Sequence, residues 1–182
     1  AKLSNETGIE SFIIDDFEEK TGLKAIKLTT YFSPIMHSDD NQHPQDFPNK
    51  KCVEIPGVYV EIESKEKAFE IMKSMRVMVQ KKNCEIFISE DNFGHGKDKL
   101  AIARNRDKWD IIKLQQTNGI NHGITNDSVI SILKKFDKKL DLEYIGADFD
   151  WCEFRIKKNQ KDWFSLAQEI YKVCPDVIDQ GT

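Results

Sequence analysis

Between residues 65 and 89 the apolar side chains change period once, and that change constrains the fold more than any other feature. From Lys65 to Lys82 they recur at helical spacing, as Ala68, Phe69, Met72, Met75 and Val79, which predicts a helix with one buried face. Ser64 stands where an N-cap is needed. From Cys84 to Ser89 the spacing gives way to an apolar run, read as a strand. A helix pattern leading straight into a strand pattern requires a layered fold that mixes both.

The rest of the chain extends this reading. A first helix is expected from Ile9 to Lys20, with Ile9, Phe12, Ile13 and Phe17 on one face and Thr21-Gly22 as its stop. Lys24 to Phe32 alternates as a strand. From Ser33 to Gly57 the pattern dissolves, and this stretch holds four of the five prolines, His37, His43 and the run Ser38-Asp39-Asp40-Asn41-Gln42. It reads as a long irregular loop with a short strand at Cys52 to Ile55. Val58 to Ile62 is the next strand, Leu100 to Ala103 pairs with Cys84 to Ser89, and Trp109 to Leu114 reads as a further strand. Thr125 or Asn126 caps a third helix whose apolar positions are Val129, Ile130, Leu133, Phe136 and Leu140. Leu142 to Asp148 and Trp151 to Ile156 form a hairpin. A last helix, Asp162 to Val173, is expected to bury Trp163, Ala167, Ile170 and Tyr171 before Pro175.

The order is α-β-β-α-β-β-β-α-β-β-α in one domain of 182 residues. It implies an α+β fold with a mixed, mainly antiparallel sheet and helices packed on one face. A chain of this size buries roughly 70% of its unfolded surface, and 39% hydrophobic residues with 11 Phe and 3 Trp supply a core.

The charge balance is 27 Lys and Arg against 31 Asp and Glu, with the signs interspersed. That disfavours phosphate-driven nucleic acid binding, which needs a basic patch. No apolar run approaches a membrane span. Cys52, Cys84, Cys152 and Cys174 make no C-x-x-C pair, which disfavours a cysteine zinc site; each reads as a buried apolar residue in a reducing compartment. The expectation is a cytoplasmic protein without nucleic acid, membrane or cofactor.

Three segments carry a resemblance: Trp109 to Asn121, Ile145-Gly146-Ala147-Asp148, and Ile170 to Thr182 with its Cys-Pro-Asp and Asp-Gln-Gly-Thr stretches. Together they resemble the bacterial domain-of-unknown-function family 4253 over roughly residues 101–182. The resemblance implies a bacterial cytoplasmic protein and no particular reaction. It also implies a further helix and an aromatic, acidic end beyond Thr182.

Several polar positions are candidates for a site. Asn118, Gly119, Asn121, His122 and Gly123 crowd one loop ahead of a helix, where side-chain amides and free N–H groups suit a ligand; turn chemistry accounts for the same residues. Asp148 and Asp150, two apart near a strand end, suit acid–base work or a shared cation, or a polar hairpin tip. Asp176, Asp179 and Gln180 follow the last helix with no packed face to hold them. Cys174 falls on an apolar stripe at a helix C-terminus, so burial is preferred over a thiolate nucleophile. His37 and His43 with Asp39, Asp40 and Asp46 match no ordered metal site, and no metal is expected.

The leading expectation is a non-enzymatic module that binds a protein partner, an immunity-type role being one version, through the 33–57 loop and the strand-end loops. The alternative is a metal-assisted hydrolase or small-ligand sensor using the Asn118–His122 loop and Asp148, with Asp176 and Asp179 as helpers.

Overall fold

Apolar periodicity places most elements, and local hydrogen bonds set their ends. A computed structural model describes residues 2–32, 51–119 and 122–175. In order these hold α1 (Lys2–Thr7), α2 (Ser11–Thr21), β1 (Ile26–Phe32), β2 (Lys51–Ile62), α3 (Lys65–Gln80), β3 (Cys84–Glu90), β4 (Asp98–Arg104), α4 (Asp110–Leu114), α5 (Asn126–Leu140), β5 (Leu142–Ala147), β6 (Cys152–Ile156) and α6 (Trp163–Val173). Ser64 caps α3 by accepting from the Lys67 amide, Thr125 caps α5 through the Ser128 amide, and Asp162 caps α6 through the Ser165 amide.

Six strands form one sheet in the order β1-β2-β4-β3-β5-β6. Every neighbouring pair is antiparallel except β3 and β5. The α+β class and the mainly antiparallel, mixed sheet therefore stand.

The covering of the sheet differs from expectation. Ile86, Ile88, Leu100 and Ile102 pack with Ile13, Phe17, Met72 and Met75 of α2 and α3. Their strand neighbours Phe87, Ala101 and Ala103 pack instead with Ile111, Ile112, Ile130 and Leu166 of α4, α5 and α6. Because successive strand residues point to opposite faces, helices cover both faces rather than one.

Two further corrections concern elements. Trp109 to Leu114 is not a strand: α4 forms there because Asp110 Oδ2 accepts from the amides of Arg106 and Asp107, and Asp107 Oδ1 accepts from Trp109. These bonds tighten the chain into a helical turn, and a five-residue apolar run fits either period. Nor does the irregular stretch reach Gly57, since β2 is continuous from Lys51. Pro56 sits inside a register shift of the β1–β2 ladder, between partners Lys27↔Val58 and Thr29↔Glu54, where a missing N–H is tolerated.

The parallel junction between β3 and β5 has one paired position, Ile88↔Gly146. A Cβ on Gly146 would lie 2.6 Å from the Ile88 carbonyl oxygen and 2.6 Å from the Trp151 ring, so only glycine allows this approach. Toward the strand starts, a side chain replaces the ladder. Arg76 of α3 donates to the Tyr144 carbonyl at 2.5 Å and the Ile86 carbonyl at 3.4 Å. Its guanidinium also lies 3.3 Å from Glu85 and 3.4 Å from Glu143. Toward the strand ends, the buried Gln115 donates to Ala147 and Ser89 carbonyls at 3.1 and 3.5 Å.

Removing the guanidinium would leave the Ile86 and Tyr144 carbonyls without this donor and take the cation from Glu85 in a largely buried site. Arg76→Met is expected to cost about 3 kcal/mol and lower the melting temperature by roughly 6–12 °C for a chain of this size. Thermal unfolding followed by circular dichroism checks this. A drop within 2 °C of wild type would show that Arg76 does not hold the junction.

Candidate functional site

The loop after α4 is folded by its own side chains. Gln116 takes a left-handed φ of 55°, turning the chain back, and its Nε2 donates to the Lys113 carbonyl at 2.6 Å. Asn126 donates to the carbonyls of Ile112 and Thr117 at 2.8 and 2.9 Å. Gly119 and Ile124 form an isolated antiparallel bridge. These bonds carry the loop onto the end of β5. Thr117 Oγ1 donates to the Asp148 carbonyl at 2.7 Å, and the Asn118 amide donates to the Phe149 carbonyl at 2.9 Å.

Asn118 and Asp148 are thus brought together, through backbone as much as side chain. His122 belongs to the same loop, where its amide donates to the Gly119 carbonyl, and the residue is exposed. Asp150 is exposed at the tip of the β5–β6 connection. Asn121, Asp176, Asp179 and Gln180 lie outside the described residues, as do His37, His43, Asp39, Asp40 and Asp46.

Asp148 is the electrostatically distinctive member. It is half-buried, and its Oδ1 accepts from the Phe149 amide at 2.8 Å. Burial pushes its carboxyl up to about 6, and nearby Asp150 and Glu90 act in the same direction, with the Phe149 amide and Lys99 opposing them. A carboxyl that titrates near neutrality suits proton transfer. Around it, however, Thr117, Asn118, Gln115 and Asn126 all bond backbone carbonyls. Among the described residues no three His, Cys, Asp or Glu side chains converge as a metal cage. The arrangement can clamp the α4–α5 loop to β5 and hold one protonatable carboxyl.

The opposite end of the β3–β5 junction opens into a groove of about 950 Å³ around Arg76. Lys73, Arg106, Lys108, Arg155 and Lys157 face Glu70, Glu85, Asp107, Asp141 and Glu143 across it, so its charges largely neutralise one another. Burial raises the Glu85 carboxyl there, against lowering by Gln80 and Arg76. Sequence reasoning gave this groove no signal, because its residues come from four distant segments.

A third surface lies along α6. Leu166, Ile170 and Val173 point inward, Leu166 and Ile170 packing with Phe154 and Ile156 of β6. Trp163, Phe164 and Tyr171 remain 54%, 73% and 40% exposed, and Ala167 is also exposed. The expectation that Trp163, Ala167 and Tyr171 are buried is therefore corrected. So is the expectation for Cys174, which is exposed, whereas Cys84 is buried. The cause is that apolar residues cover about half of the α6 circumference, while one sheet edge can bury only a narrow arc. That excess width, with Phe164 counted in, was the signal available in the sequence.

The family model described as Domain of unknown function (DUF4253) matches residues 99–182, from β4 to the last residue. The C-terminal resemblance thereby holds. No curated protein and no solved structure matches the chain.

Because the folded Asp148 holds its proton up to about pH 6 and an unfolded aspartate only to about 3.9, the folded state binds more protons between these values. Stability should fall as pH rises through that window, by up to about 3 kcal/mol. Asp148→Asn keeps the Oδ1 acceptor and removes the charge. It should melt higher than wild type at pH 7.5 and nearly equal at pH 4. A lower melting point at pH 7.5 would contradict this.

Proposed function

We infer that the chain is a non-enzymatic binding module of a bacterial cytoplasm, and that it engages a protein partner at the outer end of its sheet. The single observation that carries this reading is an aromatic helix flank standing beside an open strand edge. Trp, Tyr and Phe are the residues that dominate protein interfaces, and three of them are exposed together on α6. β6 ends the sheet order, and among the described residues no strand pairs with its outer edge. An unpaired edge offers backbone donors and acceptors to an incoming strand.

The position of the flank follows from the helix geometry. Trp163, Ala167, Tyr171 and Phe164 share an arc of about 100°, adjacent to the inward arc of Leu166 and Ile170. Glu169 lies on the other side of that inward arc, where it pairs at 2.9 Å with Lys139 of α5. The aromatic flank therefore faces away from α5.

The enzyme alternative has the half-buried Asp148 in its favour, but the side chains of Thr117 and Asn126 and the Nε2 of Gln115 are engaged by backbone carbonyls. No helix among the described residues is long and apolar enough to cross a membrane, which is compatible with the proposed location.

A photo-crosslinking residue placed at Phe164 tests the reading in cells. It should give one discrete adduct, and the same group at Lys20, on the opposite face of the sheet, should give none. Equal labelling from both positions, or none from Phe164, would overturn it.

A further inference from the structure

The residues around the β6 edge are complementary to themselves, and this resting on the docking reading above names the partner. An antiparallel pairing of β6 with a second β6 about Phe154 sets Phe154 opposite its own copy. The same register sets Glu153 opposite Arg155 and Cys152 opposite Ile156. Both charged positions of β6 thus meet their opposites, and by two-fold symmetry the pair occurs twice. Glu153 and Arg155 remain available for this, at 48% and 60% side-chain exposure beside their in-chain contacts to Lys65 and Glu143.

The helices agree with the strands. A two-fold axis that makes two edge strands antiparallel stands perpendicular to the sheet, so like faces of both copies lie on the same side. Leu166 and Ile170 of α6 pack with Phe154 and Ile156 of β6 and the aromatic flank faces away from α5, so in this dimer α6 meets the partner α6 across the joined edges. Trp163, Phe164 and Tyr171 of each copy become buried against those of the other, which removes the exposed apolar surface of both. One operation closes the strand edge, pairs the charges and covers the aromatics.

We propose that a second copy of this chain occupies the β6 edge and the α6 flank, forming a two-fold dimer with one continuous sheet. A protein partner of another kind is an alternative occupant that the same experiments separate from it.

Light scattering with size-exclusion chromatography reads the mass, which for one copy is 21.1 kDa. Wild type should elute as two copies. Glu153→Arg alone sets like charges opposite each other twice and should weaken the dimer about tenfold or more, and so should Arg155→Glu alone. An equimolar mixture of the two variants restores opposite charges in every pair and should recover the dimer as a heterodimer. Should either variant fail to fold by circular dichroism, Glu153→Lys and Arg155→Asp give the same test with shorter side chains.

A wild type that stays monomeric at about 100 μM, or a dimer indifferent to all four reversals, would overturn the second copy as occupant. A monomer whose Phe164 crosslinks to a different protein leaves the docking reading standing and removes only the self-association. A monomer without any Phe164 adduct removes both.

Discussion

The structure depends on how two strands that barely touch are held together. β1, β2, β4 and β3 form an antiparallel set, β5 and β6 form a hairpin, and the sets meet at the parallel pair Ile88↔Gly146. A ladder this short cannot fix two sets of strands, and side chains take over on either side of it. Arg76 reaches carbonyls of both strands at one end, and Gln115 reaches carbonyls of both at the other. The planar guanidinium presents several donors in a fixed fork, which suits it to two carbonyls and two carboxylates at once.

That junction also sorts the surfaces of the molecule. Near Gln115 the α4–α5 loop is clamped to β5 and leaves Asp148 half-buried. Near Arg76 the strands part and a groove of balanced charge opens. Beyond the junction the β5–β6 hairpin ends the sheet, with α6 laid on it and little further out to bury its aromatic residues. The proposed interface is therefore a consequence of topology: among the described residues no strand pairs with the outer edge of β6, and α6 has more apolar surface than one strand can cover.

Much of the fold was legible from period alone. Met72, Met75 and Val79 were placed in the core by helical spacing and are buried there, and the β5–β6 hairpin followed from two alternating runs. What was not legible depended on contacts distant in sequence or on short runs. The Trp109–Leu114 segment is too short for its period to decide, and the aspartates at 107 and 110 decide it instead. The second covered face could not be read from element order, since order does not say which side of a sheet a helix crosses. The Asn118–Asp148 approach was suggested by segment chemistry, but its backbone character was not. Arg76 carried no sequence signal at all, because its four partners come from β3 and β5. On α6 the helix is readable, yet its period points to Trp163, Ala167, Ile170 and Tyr171 as the buried arc, where the structure buries Leu166 and half-buries Ile170.

The most direct measurement is hydrogen exchange followed by mass spectrometry over a dilution series of the wild-type chain. If β6 and α6 close against a second copy, their amides should become slower to exchange together as concentration rises, while those of β2, β4 and β3 stay unchanged. Exchange in β6 and α6 that ignores concentration, or protection that grows elsewhere on the sheet instead, would contradict the interface.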